Sequence, residues 1–143
     1  MAIIAVLAVV VFVALNPAQR LEDTRDAKRV SDTQSILTAI HASIVDNAGA
    51  LPSGLTAGMV EKQIGTEPTA ANCAIATGGC NVGATNGCVD LSGALANYLN
   101  SIPLDPSNGT AALTGYSVVV NAAGLVTVKA CGTEGSPNIS ASR

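Results

Sequence analysis

The first thirty residues, MAIIAVLAVVVFVALNPAQRLEDTRDAKRV (residues 1–30), decide how the rest of the chain is interpreted. An unbroken apolar run, Ala2–Leu15, meets Asn16 and Pro17 and changes at once into dense charge. The run would be roughly 21 Å long as a helix, whereas about 20 residues are needed to cross a bilayer core. We therefore predict one long helix with an apolar tip too short to span a membrane and a charged continuation.

The continuation has the pattern of an amphipathic helix. Its charges alternate in sign and allow i,i+3 pairs such as Glu22–Arg25 and Asp26–Arg29, which predicts a solvated face. Pro17 should kink the helix near Ala14, and Gly49 is typical of a helix end. An apolar stripe at steps of three and four residues should dock on a small domain; it comprises Val30, Thr33, Leu37, Ile40 and Ile44.

Composition limits the choice of partner and the size of the core. The chain has 143 residues, which suits one compact domain with an appendage. A net charge of −3 and an aromatic content of 2% argue against a nucleic-acid partner. Small residues predominate outside the apolar run and bury little area each, so we expect the domain to need further stabilisation.

The order of elements predicts an α+β fold, a long bent helix packed on a small antiparallel sheet with a disulfide-stapled loop. Residues 1–25 should protrude, and residues 26–143 should form the head. Within the head we predict an amphipathic helix over 26–47 and a variable Cys-rich loop over 50–88, with a short helical patch near 59–64. Residues 89–131 should hold a helix or turn and a hairpin joined through 121–124, and residues 132–143 a frayed tail.

The four cysteines favour an oxidising compartment. No pair has C-x-x-C spacing and His41 is distant in sequence, so zinc is disfavoured. Two disulfides fit a small Gly-rich domain behind an apolar start, and four reduced buried thiols in a cytosolic protein are the alternative. Of three possible connectivities we predict Cys73–Cys80 with Cys88–Cys131, because the second bond would enclose the C-terminal subdomain. A competing connectivity joins Cys80 to Cys88 and Cys73 to Cys131.

Three interpretations of the apolar run compete. A secretory signal should have a basic start and a small-residue cleavage site, and neither is present. A transmembrane anchor fails on length unless residues are missing upstream. The third interpretation is a protruding helix whose apolar part packs against copies of itself, and the charged amphipathic continuation supports it.

The run AIIAVLAVVVFVALNP with its charged helix resembles the start of type IV pilins and type II secretion pseudopilins. YLNSIPLDPSNGTAALTGYSVVVNAAGLVTV is similar to the end of their globular domain, where a Pro-Asp-Pro turn precedes the hairpin. The resemblance implies a subunit of a homo-oligomeric helical filament, lying in the membrane before an inner-membrane machinery assembles it on the cell surface. It places these residues in the filament core: Ile3, Ile4, Val6, Leu7, Val9, Val10, Phe12, Val13 and Pro17.

The chain departs from the family pattern at its start. The family opens with a basic leader, a cleavage site, an aromatic residue and a glutamate, whereas Met1 stands where the apolar run is already under way. No residue here matches that glutamate. We expect the reading frame to extend upstream of Met1 and to encode both the leader and the glutamate.

Catalytic motifs are absent from the sequence. It contains no nucleophile elbow, phosphate loop or metal-binding His pair, so we expect no enzyme activity, catalytic residue or cofactor. Asp105, Ser107 and Asn108 are a weak calcium candidate, since a proline turn accounts for the same residues without a metal. Asn108 and Asn138 begin N-glycosylation triplets. The sequence thus favours a pilus-like filament subunit; the alternatives are a pseudopilin and a membrane-anchored binding module that does not polymerise.

Overall fold

A computed structural model describes residues 2–135 and 138–143 and confirms the α+β class. Helix α1 spans Ala2–Leu15 and helix α2 spans Pro17–Asp46. Five strands follow, with a short 3₁₀ helix at Ala70–Cys73: β1 at Lys62–Ile64, β2 at Cys88–Val89, β3 at Tyr116–Val120, β4 at Val126–Ala130 and β5 at Ile139–Ser142. The sheet order is β2-β1-β3-β4-β5, and every neighbouring pair is antiparallel except β1 with β2.

The core lies between α2 and one face of the sheet. Helix α2 packs on β4 and β5. Alternation along β3 and β4 sends every second side chain towards the helix, because successive strand residues face opposite sides. The inward set is fully or almost fully buried: Ile36 and Ile40 from α2 meet Tyr116, Val118, Val120, Val126 and Val128 from the sheet.

The predicted apolar stripe of α2 is confirmed in part. Thr33, Leu37 and Ile40 are buried and Ile44 is partly buried, whereas Val30 is exposed. In place of Val30 the buried face continues through charged residues. Asp26, Arg29 and Asp32 are buried, so the prediction of a solvated face is wrong for them. Besides the local pairs Asp26–Arg29 and Lys28–Asp32, these residues have partners far away in sequence, namely Asp105, Tyr116 and Glu134. The local charge pattern could not reveal those distant partners.

The hairpin is confirmed and its turn has a clear cause. Asn121 Oδ1 accepts hydrogen bonds from the backbone N–H of Ala123 and of Leu125, both at 2.9 Å. Gly124 has φ of 86°, a conformation that costs a residue with a Cβ atom more than it costs glycine. Because the Asn121 N–H also donates to the Leu125 carbonyl, the loop proper is residues 122–124.

Two other element predictions are wrong. The helical patch near 59–64 is instead strand β1, which pairs with β3 through Lys62 and Gln63. The tail 132–143 is not frayed, because β5 pairs with β4 over four residues. Ile139 and Ala141 of β5 are buried against the core, and Arg143 exchanges both backbone hydrogen bonds with Val126. The segment 91–99 is a set of turns with Leu91 and Leu95 inward, as predicted.

Both predicted disulfide connectivities are wrong: the bonds are Cys73–Cys88 and Cys80–Cys131, and the described residues contain no free cysteine. Cys88 lies on edge strand β2, while Cys131 directly follows β4, and β1 and β3 stand between those strands. Three strand spacings of about 4.8 Å separate the two by roughly 14 Å. A disulfide requires Cα atoms within about 7 Å, so Cys88 cannot bond to Cys131.

The loop between Cys73 and Cys88 covers the sheet face opposite α2. An isolated antiparallel bridge pairs Ile75 with Val82. In that pairing Cys73 and Cys80 do not lie opposite each other, so they are not placed to form the predicted local disulfide. Thr77 Oγ1 donates to the Cys131 carbonyl at 2.7 Å, and this contact brings Cys80 to its partner. A Cβ atom on Gly78 would lie only 2.6 Å from that carbonyl oxygen. The cover is tight enough to bury Ser117 of β3 completely.

Candidate assembly surface

Helix α1 carries the largest exposed apolar surface of the described chain. Its large side chains that the structure describes are exposed by between 56% at Val11 and 76% at Ile3. Burying each of them would be worth about 1.5–3 kcal/mol. Continuous apolar patches of this kind mark interaction sites in native proteins. The predicted core residues Ile3, Ile4, Val6, Leu7, Val9 and Val10 all belong to this surface, whereas the side chains of Phe12 and Val13 lie outside what the structure describes.

The surface of α1 can receive another helix. Ala5, Val6, Val9 and Val10 line a shallow groove of about 280 Å³. The small side chain of Ala5 lets a second helix approach this groove closely at that point. Over the described residues, no helix is long and apolar enough to cross a membrane.

A backbone break separates α1 from α2. Asn16 has φ of 38° and ψ of 70°, which is the left-handed region that asparagine tolerates better than most residues. Pro17, exposed and also predicted for the core, is the first residue of α2, where its missing N–H costs nothing. The break therefore falls at Asn16 and not at Ala14 as predicted.

Arg29 fixes α2 to the head close to where the helix leaves it. Its guanidinium is fully buried, and all five of its N–H groups donate. Nε and Nη2 bind the two carboxylate oxygens of Asp105 at 2.7 and 3.0 Å, and Nη2 also donates to Ser107 Oγ. Nη1 donates to Asp26 and to Glu134. The predicted Asp26–Arg29 pair is thus confirmed as part of a larger cluster.

The anchor cluster, which consists of Arg25, Asp26, Arg29, Asp105 and Glu134, joins three separate segments. Arg25 makes a bidentate ion pair with Glu134 at 2.7 Å. The main partner of Arg25 is therefore Glu134 and not Glu22, which the sequence pattern suggested. Asp26 accepts from the backbone N–H of Glu134 and of Gly135. The cluster therefore ties α2 both to the turn at Asp105 and to the segment that leads into β5.

The pKa values of this region follow from these contacts. Hydrogen bonds from Arg25 and then from Arg29 lower the pKa of Glu134 to about 2. Hydrogen bonding to Asp105 raises the pKa of Arg29 above its ordinary value. Burial, followed by donation to Asp32 Oδ2 at 2.7 Å, raises the pKa of Tyr116 far above its usual range. All three shifts keep the folded region in the charge state that its contacts require.

Two of the three residues of the calcium candidate, Asp105 and Ser107, have oxygens that accept from the guanidinium of Arg29, whereas Asn108 is exposed. Asp105 and Ser107 bind Arg29, and the Ser107 N–H also donates to Asp105. The described residues contain no group of three or more His, Cys, Asp or Glu side chains placed to hold a metal ion.

The two asparagines of the glycosylation triplets, Asn108 and Asn138, are exposed, and their modification stays a prediction. His41 lies at the edge of α2, where its Nε2 atom is 3.0 Å from the Arg143 carbonyl oxygen.

The described chain thus combines an exposed apolar helix with a second helix, joined to it at a backbone break, that is fixed in a head with two disulfides. The chain matches no protein-family model, no curated protein and no solved structure.

Proposed function

We propose that this chain is a structural subunit of an extracellular type IV pilus-like filament, which polymerises through α1. The observation that carries the proposal is the exposed apolar surface of α1, from Ile3 to Val11, on a chain whose other large apolar side chains mostly lie in the core of the head. Packing α1 against copies of itself would bury that surface. The anchor cluster would keep the head attached to the polymerised helix.

The two parts of the chain suit two environments. Side chains of α1 are apolar throughout, whereas charged residues begin at Arg20 and continue through Glu22 and Asp23, of which Glu22 is half-buried and the other two are exposed. In the proposed filament α1 lies in the dry centre and the head lies in the wet outer layer. Before assembly α1 lies in the membrane, and an inner-membrane machinery extracts the subunit. A pseudopilin that forms a short filament in secretion would use the same surface.

A charge placed on α1 tests the proposal. Val9→Asp would bury an unpaired carboxylate in the filament centre, which costs several kcal/mol in each subunit. We expect filaments sheared from the cells to disappear from electron micrographs and from the sedimented fraction. Val45→Asp is the matched control, since Val45 is 76% exposed at the far end of α2 and Val9 is 63% exposed. Its filament yield should equal that of the wild type.

Two results would contradict the proposal. A normal filament yield from Val9→Asp would show that α1 does not form the centre of a polymer. Sheared material from wild-type cells that contains no filament of this chain would favour the membrane-anchored binding module. Unchanged thermal unfolding of the head in the Val9→Asp variant would establish that a loss of filaments is not caused by misfolding.

A further inference from the structure

The single parallel strand pair of the described sheet opens into a crevice where it ends. Strands β1 and β2 run side by side up to Ile64 and Val89, and the last bond between them joins the Gly65 N–H to the Val89 carbonyl. Beyond that point, the chain after β1 turns to bind Ala111 and Ala112 through Thr66 and Glu67. The chain after β2 turns away into the segment 91–99. The two chains diverge, and a cavity of about 430 Å³ remains between them.

The crevice has the size and lining of a small-ligand site. Ligand pockets typically measure about 300–1,000 Å³ and are mostly apolar with a few polar groups. The buried side chains of Ile64 and Leu91 form the floor, and the half-buried side chain of Ile102 and the partly exposed side chain of Leu104 form one wall. Ser92, Asn100 and Ser101 supply neutral polar groups at the rim.

The residues that line the crevice carry negative charge and no positive charge. Asp90 is the only charged residue among those that line it, and it lies exposed at the rim. Its Oδ1 atom accepts from both the N–H and the hydroxyl of Ser92, at 2.9 and 2.6 Å. These two bonds fix the orientation of the carboxylate. An apolar cavity with one anionic rim group complements a ligand that has an aliphatic body and a cationic end.

We propose that this crevice binds a small aliphatic cation, with the hydrocarbon part over Ile64, Leu91 and Leu104 and the ammonium group against Asp90. The proposal is independent of filament assembly, because no crevice residue belongs to α1. Neutral alcohols of the same length would make the same apolar contacts but would lack the attraction to Asp90. A site of this kind should therefore bind the aliphatic cation more tightly than the neutral alcohol of the same length.

The test is a titration of the full chain in nonionic detergent, with methyl-labelled Ile and Leu followed by NMR. The probes are hexylammonium and 1-hexanol. We expect hexylammonium to give saturable shifts at the Ile102 and Leu104 methyl groups, with an affinity about twofold to fivefold above that of hexanol, the range for an exposed ion pair. Leu21 of α2, outside the crevice, reports binding elsewhere.

Three variants make the outcome decisive. Asp90→Asn should reduce the affinity for hexylammonium to that for hexanol, whereas Glu22→Gln removes a carboxylate outside the crevice and should change neither. Ala96 is exposed at the rim, so Ala96→Phe can fill the crevice without entering the core and should abolish both sets of shifts. The proposal is overturned if the crevice methyl groups do not shift, if both probes bind equally to the wild type, or if Asp90→Asn has no effect.

Discussion

At the scale of single residues, Arg29 shows how a buried charge can be accommodated. A guanidinium has five N–H donors in a fixed plane, and here each of them has an acceptor from Asp26, Asp105, Ser107 or Glu134. A lysine has three donors and a different geometry, so it could not serve the same acceptors. The sequence alone could not predict this, because Asp105 and Glu134 follow Arg29 by 76 and 105 positions.

Replacing Arg29 should destabilise the head far more than replacing its neighbour Arg25. Arg29→Ala leaves Asp105 as a buried carboxylate without its cation, and such losses cost about 3–5 kcal/mol. Arg25→Ala is the matched control, because its pair with Glu134 is about a third exposed and solvent-screened pairs of this kind contribute little to stability. Urea unfolding of both variants measures the difference. Equal losses would refute the view that Arg29 anchors the helix.

The protonation of Glu134 should make the head less stable in acid. Its folded pKa of about 2 lies below the ordinary value of 4.5. The stabilisation is therefore fully present above about pH 4.5 and is lost as the pH falls towards 2. Glu134→Gln should lower the free energy of unfolding at pH 7 and flatten its slope between pH 4.5 and 2. An unchanged slope would mean that other groups cause the acid sensitivity.

At the scale of elements, those stabilised by contacts between residues close in sequence could be predicted, and those stabilised by distant residues could not. Helix α2 and the β3–β4 hairpin were predictable because their periodicity and the turn at Asn121 are local signals. Strand β5, with the sequence ISAS, has only alternation of small residues, and its stability comes from pairing with β4. The apolar surface of α1 could be predicted from contiguous residues, whereas the anchor cluster needed the tertiary fold.

The disulfide connectivity was not predictable for the same reason, and it gives a direct test of the topology. Non-reducing peptide mapping should yield fragments that link Cys73 to Cys88 and Cys80 to Cys131. In the chain-entropy model the bonds close loops worth about 3 and 4 kcal/mol, for sequence separations of 15 and 51. The double variant Cys80→Ala/Cys131→Ala should therefore lose more stability in thermal unfolding than Cys73→Ala/Cys88→Ala. The opposite order would show that the disulfide closing the longer loop does not contribute more to stability than the other.

At the scale of the whole molecule, the head should fold without α1, provided that the buried part of the anchor cluster, Asp26 and Arg29 with their partners, is kept. A fragment that begins at Asp26 loses the partly exposed Arg25 but keeps Asp26, Arg29 and the five strands. We expect it to be soluble with a cooperative thermal transition. The control fragment begins at Val30 and lacks all three cluster residues from α2. Its thermal midpoint should be lower by many degrees in circular dichroism. Identical midpoints would mean that the cluster contributes little to the head.

The left-handed turn at Asn16 has a consequence for how heat and environment act on the two halves of the chain. Helix formation is cooperative along one uninterrupted ladder of backbone hydrogen bonds. Asn16 leaves the helical region, Pro17 has no N–H to donate, and the ladder of α2 starts afresh when Arg20 donates to the Asn16 carbonyl. Order gained or lost in α1, in lipid, detergent or protein, is therefore not transmitted along the backbone into the head. The chain should behave as two calorimetric units, and only the first should respond to a change of solvent around the apolar helix.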